Sequence, residues 1–339
     1  MKQIKTVDAV GQVLCHDITQ ILPGQFKGRK FKKGHVVKEE DIPVLLSLGK
    51  DNLYVWEAVE GMIHENDGAI FLKDIAAGEN LEFSEIKEGK IDFIAGIDGL
   101  LKIDVDTLLK LNSIDDIMMA TLHNNFEVKK GTKVAGTRVI PLLIEEEKLE
   151  EAKKVVGENK IVSVLPFKPK KVGIVTTGNE IYHKRIVDKF GPVIEGKVGK
   201  YNCEIIGQII CPDDKEVIKE AIQKFVNEGA ELICCTGGMS VDPDDVTPTA
   251  IKECGAELVT YGSPILPGAM FLLAYYNEVP IMGIPGCAMY NKTTVFDVIL
   301  PRLLVNERLT KADIAAYGHG GLCMQCDTCT YPACNFAKI

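Results

Sequence analysis

Thr236-Gly237-Gly238-Met239-Ser240-Val241-Asp242-Pro243-Asp244-Asp245 is the stretch on which the fold turns. It follows the apolar run Glu231 to Cys235, which has the length and composition of a buried strand. The strand ends in Thr-Gly-Gly, where backbone can approach a ligand without interference from a Cβ. Three carboxylates follow within four residues. Bare N–H groups suit phosphate oxygens and clustered carboxylates suit Mg²⁺, so the pair suits a phosphorylated ligand that arrives with a hard cation. The competing reading is an ordinary turn with solvated acids.

On both sides of this stretch the chain alternates strand, loop and helix from Lys170 onward. Val172 to Thr177 is a strand closed by Gly178-Asn179-Glu180; Pro192 to Cys203 is helical; Glu204 to Ile210 is the next strand. Asp213, with Glu216 three residues on, has the spacing of a capping box for a helix that buries Ile218, Ala221, Ile222, Phe225 and Val226 and stops at Gly229. Thr247 and Pro248 open a short helix. Val279 to Ile284 is a strand ending at Pro285-Gly286, and a helix follows from about Asn291 to Val305. Such alternation predicts an α/β domain with a three-layer, mostly parallel sheet. In a sheet of that kind ligands bind outside the carboxyl ends of the strands. The loops at Thr177 to Glu180, Thr236 to Ser240 and Ile284 to Gly286 should then share one edge with Asp213 and Asp214.

Upstream the sequence is less informative. Residues 1–60 form a β-containing module with strand material at Val10 to Thr19, a basic hairpin-like stretch at Lys27 to Gly34 and a short helix at Glu40 to Gly49. Residues 61–165 form a β-rich or α+β module. In it, Ala69 to Leu72 and Lys133 to Ile144 are strand-like, and Asp106 to Met119 has helical spacing. A charged helix from Glu145 to Lys154 leads into a linker with Pro166 and Pro169. The α/β domain then occupies 166–310 and a cysteine-rich tail 311–339.

Composition narrows the function classes. The chain has 339 residues, 46% hydrophobic and 26% charged, with a formal net charge of −9. A negative chain is a poor general binder of nucleic acid or anionic membranes. No apolar run approaches the roughly 20 residues of a membrane span, and the N-terminus lacks the apolar core of a signal peptide. A cytoplasmic protein is expected. Of 11 cysteines, seven are scattered and four crowd the end as Cys323, Cys326, Cys329 and Cys334. Two consecutive C-x₂-C steps share Cys326, as in a ferredoxin-type run, although the last gap is four residues. Either a Zn²⁺ or Fe–S site, or a reduced mobile tail hinged at Gly318 to Gly321, fits the pattern.

Taken as an ordered set, Thr176-Thr177-Gly178-Asn179-Glu180, Thr236 to Val241 with Asp245, Pro267-Gly268 and Ile284-Pro285-Gly286 resemble a known family. It is the molybdopterin-binding domain of the MoeA-type molybdopterin molybdenumtransferases and the related MogA-type adenylyltransferases. The resemblance covers roughly residues 170–305. It implies a pterin-type ligand, molybdopterin or adenylated molybdopterin, and, for the MoeA type, Mg²⁺-assisted molybdate insertion with release of AMP. On this basis Glu180, Asp214 and Asp245 are the expected catalytic acids. Thr177, Gly178, Thr236, Gly237, Gly238, Ser240, Pro285 and Gly286 are the expected ligand-binding residues. Asp213, Asp242 and Asp245 are expected on Mg²⁺, and the four C-terminal cysteines on a softer metal. A homo-oligomer and a receiving molybdoenzyme are expected partners. Ala269 stands where the family has a lysine after Pro-Gly, and Gly286-Cys287-Ala288 replaces Gly-Asn-Pro. These losses of polar contacts leave two alternatives open: a non-catalytic carrier or sensor of the cofactor, and a nucleotide pyrophosphatase similar to the competence-damage type.

Overall fold

A computed structural model describes residues 2–22, 26–55 and 60–338. Residues 23–25 and 56–59 lie outside them, the latter close to where the first module was expected to end, as do the chain's first and last residues. The protein forms two compact units. The first comprises residues 1–95, 104–122 and 131–163; the second comprises 96–103, 123–130 and 164–339.

In the first unit, Ile18–Leu22 and Phe26–Phe31 pair antiparallel, so the basic stretch is one arm of a hairpin. The expected short helix is present as Ile42–Ser47. Two other expectations are corrected. Ala69 to Leu72 is not strand but part of the helix Glu65–Ala76, which buries Gly68, Ala69, Leu72 and Ala76. Those positions recur at helical spacing once the window is widened beyond the four apolar residues. The helix predicted from Asp106 to Met119 stops at Asn112. Met118 and Met119 belong to the strand Ile117–Thr121, with the Met119 N–H bonded to Asn112 Oδ1 at 2.7 Å.

The second unit is built on a six-stranded sheet. Its strands in spatial order are Glu204–Cys211, Lys171–Thr177, Leu232–Thr236, Val279–Ile284, Leu272–Tyr276 and Glu257–Tyr261. The first four run parallel, whereas the last two are antiparallel. Side chains alternate faces along each strand, as a sheet covered on both sides requires. Val172, Ile174, Cys234, Met282 and Ile284 face a core with Ile194 and Val198 of the helix Phe190–Gly199 and with the helix Val295–Leu304. Val175, Ile233, Cys235 and Ile281 face the helices Lys215–Asn227 and Thr247–Glu253. The three-layer, partly parallel arrangement matches the expectation. Among the described residues no helix is long and apolar enough to cross a membrane.

Helix termini explain two further differences. Asp214, not Asp213, is the N-cap of Lys215–Asn227; its carboxylate accepts the N–H groups of Glu216 and Val217. Thr294 makes a reciprocal capping box with Asp297, so the last long helix starts at Val295 rather than near Asn291.

The C-terminal segment is docked, which rules out the mobile-tail reading. Leu266 and Leu322 form a parallel bridge, with Leu266 N–H to Gly321 O and Cys323 N–H to Leu266 O both at 2.8 Å. Phe336 is 4% exposed and joins the core. Gly320 and Gly321 are there for close approach rather than looseness: a Cβ on Gly321 would lie 2.3 Å from the Tyr317 carbonyl oxygen.

Arg302 ties this end together. Its side chain is only 4% exposed and its guanidinium donates to Glu307 at 2.7 and 2.9 Å and to Asp313 at 2.9 Å. Glu307 also accepts from Lys102 at 3.0 Å. Burial pushes the Glu307 carboxyl up, but Arg302 and Lys102 hold it below its ordinary value. The stability it contributes is therefore complete above the usual carboxylate range and is lost as pH falls through the depressed value. Arg302→Met should cost about 3–5 kcal/mol, because the two acids keep their charge in a poorly solvated place. Urea denaturation of wild type and variant at pH 7 measures it, and the difference should shrink as the pH is lowered past the carboxylate range.

Candidate functional site

The parallel register places the strand ends side by side. Thr177 lies beside Cys211, Thr176 beside Thr236, and Thr236 beside Ile284. The loops after Thr177, Thr236 and Ile284 therefore leave from one edge, as the sequence predicts. They border a cavity of about 670 Å³. Glu180, Gly237, Gly238, Ser240, Asp242, Asp245, Pro285 and Gly286 line it. Eight of the predicted residues are thus brought together.

The others have different positions. Thr177 and Thr236 are buried behind the rim instead of facing the cavity. Thr177 Oγ1 is 2.9 Å from Thr247 Oγ1, and Thr236 Oγ1 donates to Thr176 Oγ1 at 3.5 Å. Their hydroxyls join neighbouring segments under the loops. Gly178 is buried as well, with its N–H on the Cys211 carbonyl at 3.2 Å. Asp214 is the cap of its helix and is not among the residues that line the cavity. Asp213 stands beside the rim and accepts the Asn179 N–H at 2.9 Å.

The 236–245 loop has a defined shape. Gly237 has φ +84° and Gly238 φ +53°, both in the region that favours glycine. A Cβ on Gly237 would stand 2.1 Å from the Thr177 carbonyl oxygen. The Tyr261 hydroxyl lies 2.9 Å from the Met239 carbonyl and 3.1 Å from that of Ser240, pinning the far side of the turn. Asp245 closes the loop, with its N–H on Asp242 O at 2.9 Å and its Oδ2 near the Asp242 N–H at 3.3 Å.

The electrostatics are one-sided. No lysine, arginine or histidine is among the residues lining the cavity. Burial pushes the Asp213 carboxyl up, the Asn179 N–H pulls it down, and the charges of Glu180, Asp244 and Asp245 push it up again. An anionic ligand would meet repulsion here unless a cation came between. Among the described residues no three His, Cys, Asp or Glu side chains gather as a ready metal site. Among the described residues neither the acids at the rim nor the four cysteines therefore form a closed cage. Mg²⁺ does not need one: it commonly takes one or two carboxylates and completes its shell with waters and phosphate oxygens.

Sequence reasoning missed the apolar half of the wall. Phe190, Met239, Leu266, Ala269, Met270 and Cys287 also line the cavity. A planar ring system could lie against such a surface while its charged end met the glycine turn. Nothing in an apolar residue's identity separates a cavity wall from a core, which is why these positions were silent.

Residues 173–305 match the family described as "Probable molybdopterin binding domain". Residues 3–57 match a domain of unknown function. Among curated relatives, the molybdopterin molybdenumtransferase of Synechococcus elongatus is 25% identical over 158 residues, which is 44% of this chain and 38% of that protein. A CinA-like protein of a Mycobacterium species is 33% identical over 90 residues, 26% of this chain and 21% of that protein. The chain thus matches well under half the length of these relatives. The tungsten cofactor synthesizing protein MoaB from Pyrococcus furiosus superposes with a TM-score of 0.34 at 20% identity, over 42% of this chain and 99% of that one. The resemblance read from the motifs is borne out over the domain that carries the cavity.

Gly237→Ala tests the loop itself. The added methyl meets backbone, and the φ is one that alanine rarely adopts, so a loss of about 1–3 kcal/mol is expected. Denaturant melts of the two proteins give the value, and unchanged stability would mean that the turn has freedom the geometry denies.

Proposed function

We propose that the protein binds molybdopterin or its adenylated form at the 237–240 turn and acts in assembly or delivery of the molybdenum cofactor. The observation that carries this reading is the 670 Å³ cavity on which the Gly237-Gly238 and Pro285-Gly286 loops open together with Glu180, Asp242 and Asp245. The backbone N–H groups of the turn would receive phosphate oxygens. The pterin would lie on the apolar side, against Phe190, Met239 and Met270. Mg²⁺ would sit between ligand phosphate and one or two of the acids, where it would neutralise charge and support departure of AMP. Asp245 is the best placed of them, because its backbone and side chain fix the loop as well as facing the cavity. Cys323, Cys326, Cys329 and Cys334 lie outside this cavity and would serve a different metal.

Ala269 and Cys287, which stand in this wall in place of the family's polar contacts, favour a second reading. In it the chain holds the cofactor without inserting molybdenum and passes it to a molybdoenzyme.

Ligand binding and AMP release from adenylated molybdopterin, measured with Mg²⁺ or a chelator, separate the readings. Binding should weaken about tenfold or more on chelation, which is a loss of at least ~1.4 kcal/mol. Asp245→Asn should reproduce that loss without altering the melting curve. Release of AMP that needs Asp245 identifies insertion chemistry. Tight binding without release identifies a carrier. Hydrolysis of ordinary nucleotides with no affinity for the pterin would overturn both.

A further inference from the structure

The four C-terminal cysteines line one cleft of about 250 Å³, distinct from the larger cavity. We propose that this cleft is an iron–sulfur cluster site with Cys323, Cys326, Cys329 and Cys334 as its ligands.

The geometry is more specific than proximity. The Gln325 N–H points at Cys323 Sγ at 3.4 Å, across a turn in which Gln325 has φ +52°. The Cys329 sulfur lies 3.3 Å from Thr293 Oγ1. Peptide N–H groups and hydroxyls aimed at sulfur stabilise thiolate and are one of the means by which proteins tune clusters. Such donors do little for a neutral thiol, which is a weak acceptor.

The scaffold is also suited. Cys323 is fixed by its N–H on Leu266 O, and Cys334 packs against the core beside Phe336. Between these anchors Cys326 and Cys329 are exposed on a stretch without helix or strand. Lys292 lines the cleft, and Lys338 lies 5.4 Å from the ring of Tyr331, another lining residue. Both supply positive charge opposite an assembly of four thiolates.

The spread of the sulfurs around the cleft favours a cluster over a single ion. A tetrahedral zinc site holds four sulfurs about 2.3 Å from one point, drawn as pairs from separate turns. Cys323 with Cys326 and Cys329 with Cys334 offer two pairs, separated by two and four residues, but among the described residues no three of the sulfurs gather at one point. The sulfurs surround the cleft without converging on one point. A cubane carries one cysteine on each iron and spreads its ligands to the corners, which consecutive C-x₂-C steps accommodate. Ligation replaces four S–H protons by four S–Fe bonds and releases the protons to solvent.

The test uses the full chain purified under argon and supplied with equal ferrous and ferric iron plus sulfide, which sum to a [4Fe–4S]²⁺ core without an added oxidant. About four irons and four sulfides should remain per chain after desalting. A broad visible absorption that bleaches with dithionite should accompany them. The double variant Cys326→Ser, Cys329→Ser should lose at least about tenfold of the bound iron with an unchanged far-ultraviolet dichroism spectrum. Cys203→Ser, away from the cleft, should keep it. One zinc per chain with no sulfide-dependent iron, no bound metal at all, or full iron retention in the double variant would each overturn the assignment.

Discussion

The register of four parallel strands governs everything else in the second unit. With Thr177 level with Cys211 and Thr236 level with both Thr176 and Ile284, the strands end at one height. The loops that follow have no choice of side. Buried threonines then secure the rim from below, Thr177 to Thr247 across 70 residues of sequence and Thr236 to Thr176 across 60. The turn at Gly237 fits only because it has no side chain: its backbone lies against the Thr177 carbonyl. A cavity shaped by such contacts exists before any ligand arrives.

Charge sets what that cavity can accept. Acids border it, and among the described residues no basic side chain lines it. Residues 173–305 match the family described as a probable molybdopterin binding domain, and molybdopterin is an anion. The proposed hard cation would reconcile the two, and Mg²⁺ suits a site with few protein oxygens because it shares its shell with phosphate and water. The cysteine cleft has the opposite character: soft donors and neighbouring lysines. The two proposed sites, one hard and one soft, are thus in separate places. The chain nevertheless links them, since Leu266 borders the cavity and carries the bridge to Leu322.

Much of the α/β domain was legible because period and punctuation agreed there. The helix Lys215–Asn227 buries Ile218, Ala221, Ile222 and Phe225, four of the five positions its spacing names, and leaves Val226 half-buried. The loops were found through glycines that positive φ and close packing require. Failures came where local sequence underdetermines the outcome. Asp213 and Asp214 are adjacent and chemically equal, and only the backbone path makes the second a cap and the first a partner of Asn179. Ala69 to Leu72 looked strand-like because four apolar residues in a row show no period by themselves. Thr177 and Thr236 were expected to face ligand because hydroxyls at strand ends often do; which way they point is decided by tertiary packing. The docking of the C-terminal segment was hidden by glycines that resemble a hinge and serve close contact.

The central claim is that the Gly237-Gly238 turn and the acids beside it receive the anionic end of a pterin through a divalent ion. A crystal structure of the protein grown with molybdopterin and Mg²⁺ tests it most directly. The account predicts ligand phosphate on the backbone of residues 237–240, with the metal between it and Asp245 or its neighbours Glu180 and Asp242. A pterin bound elsewhere, or one held at this rim by phosphate contacts with no cation beside the acids, would contradict it.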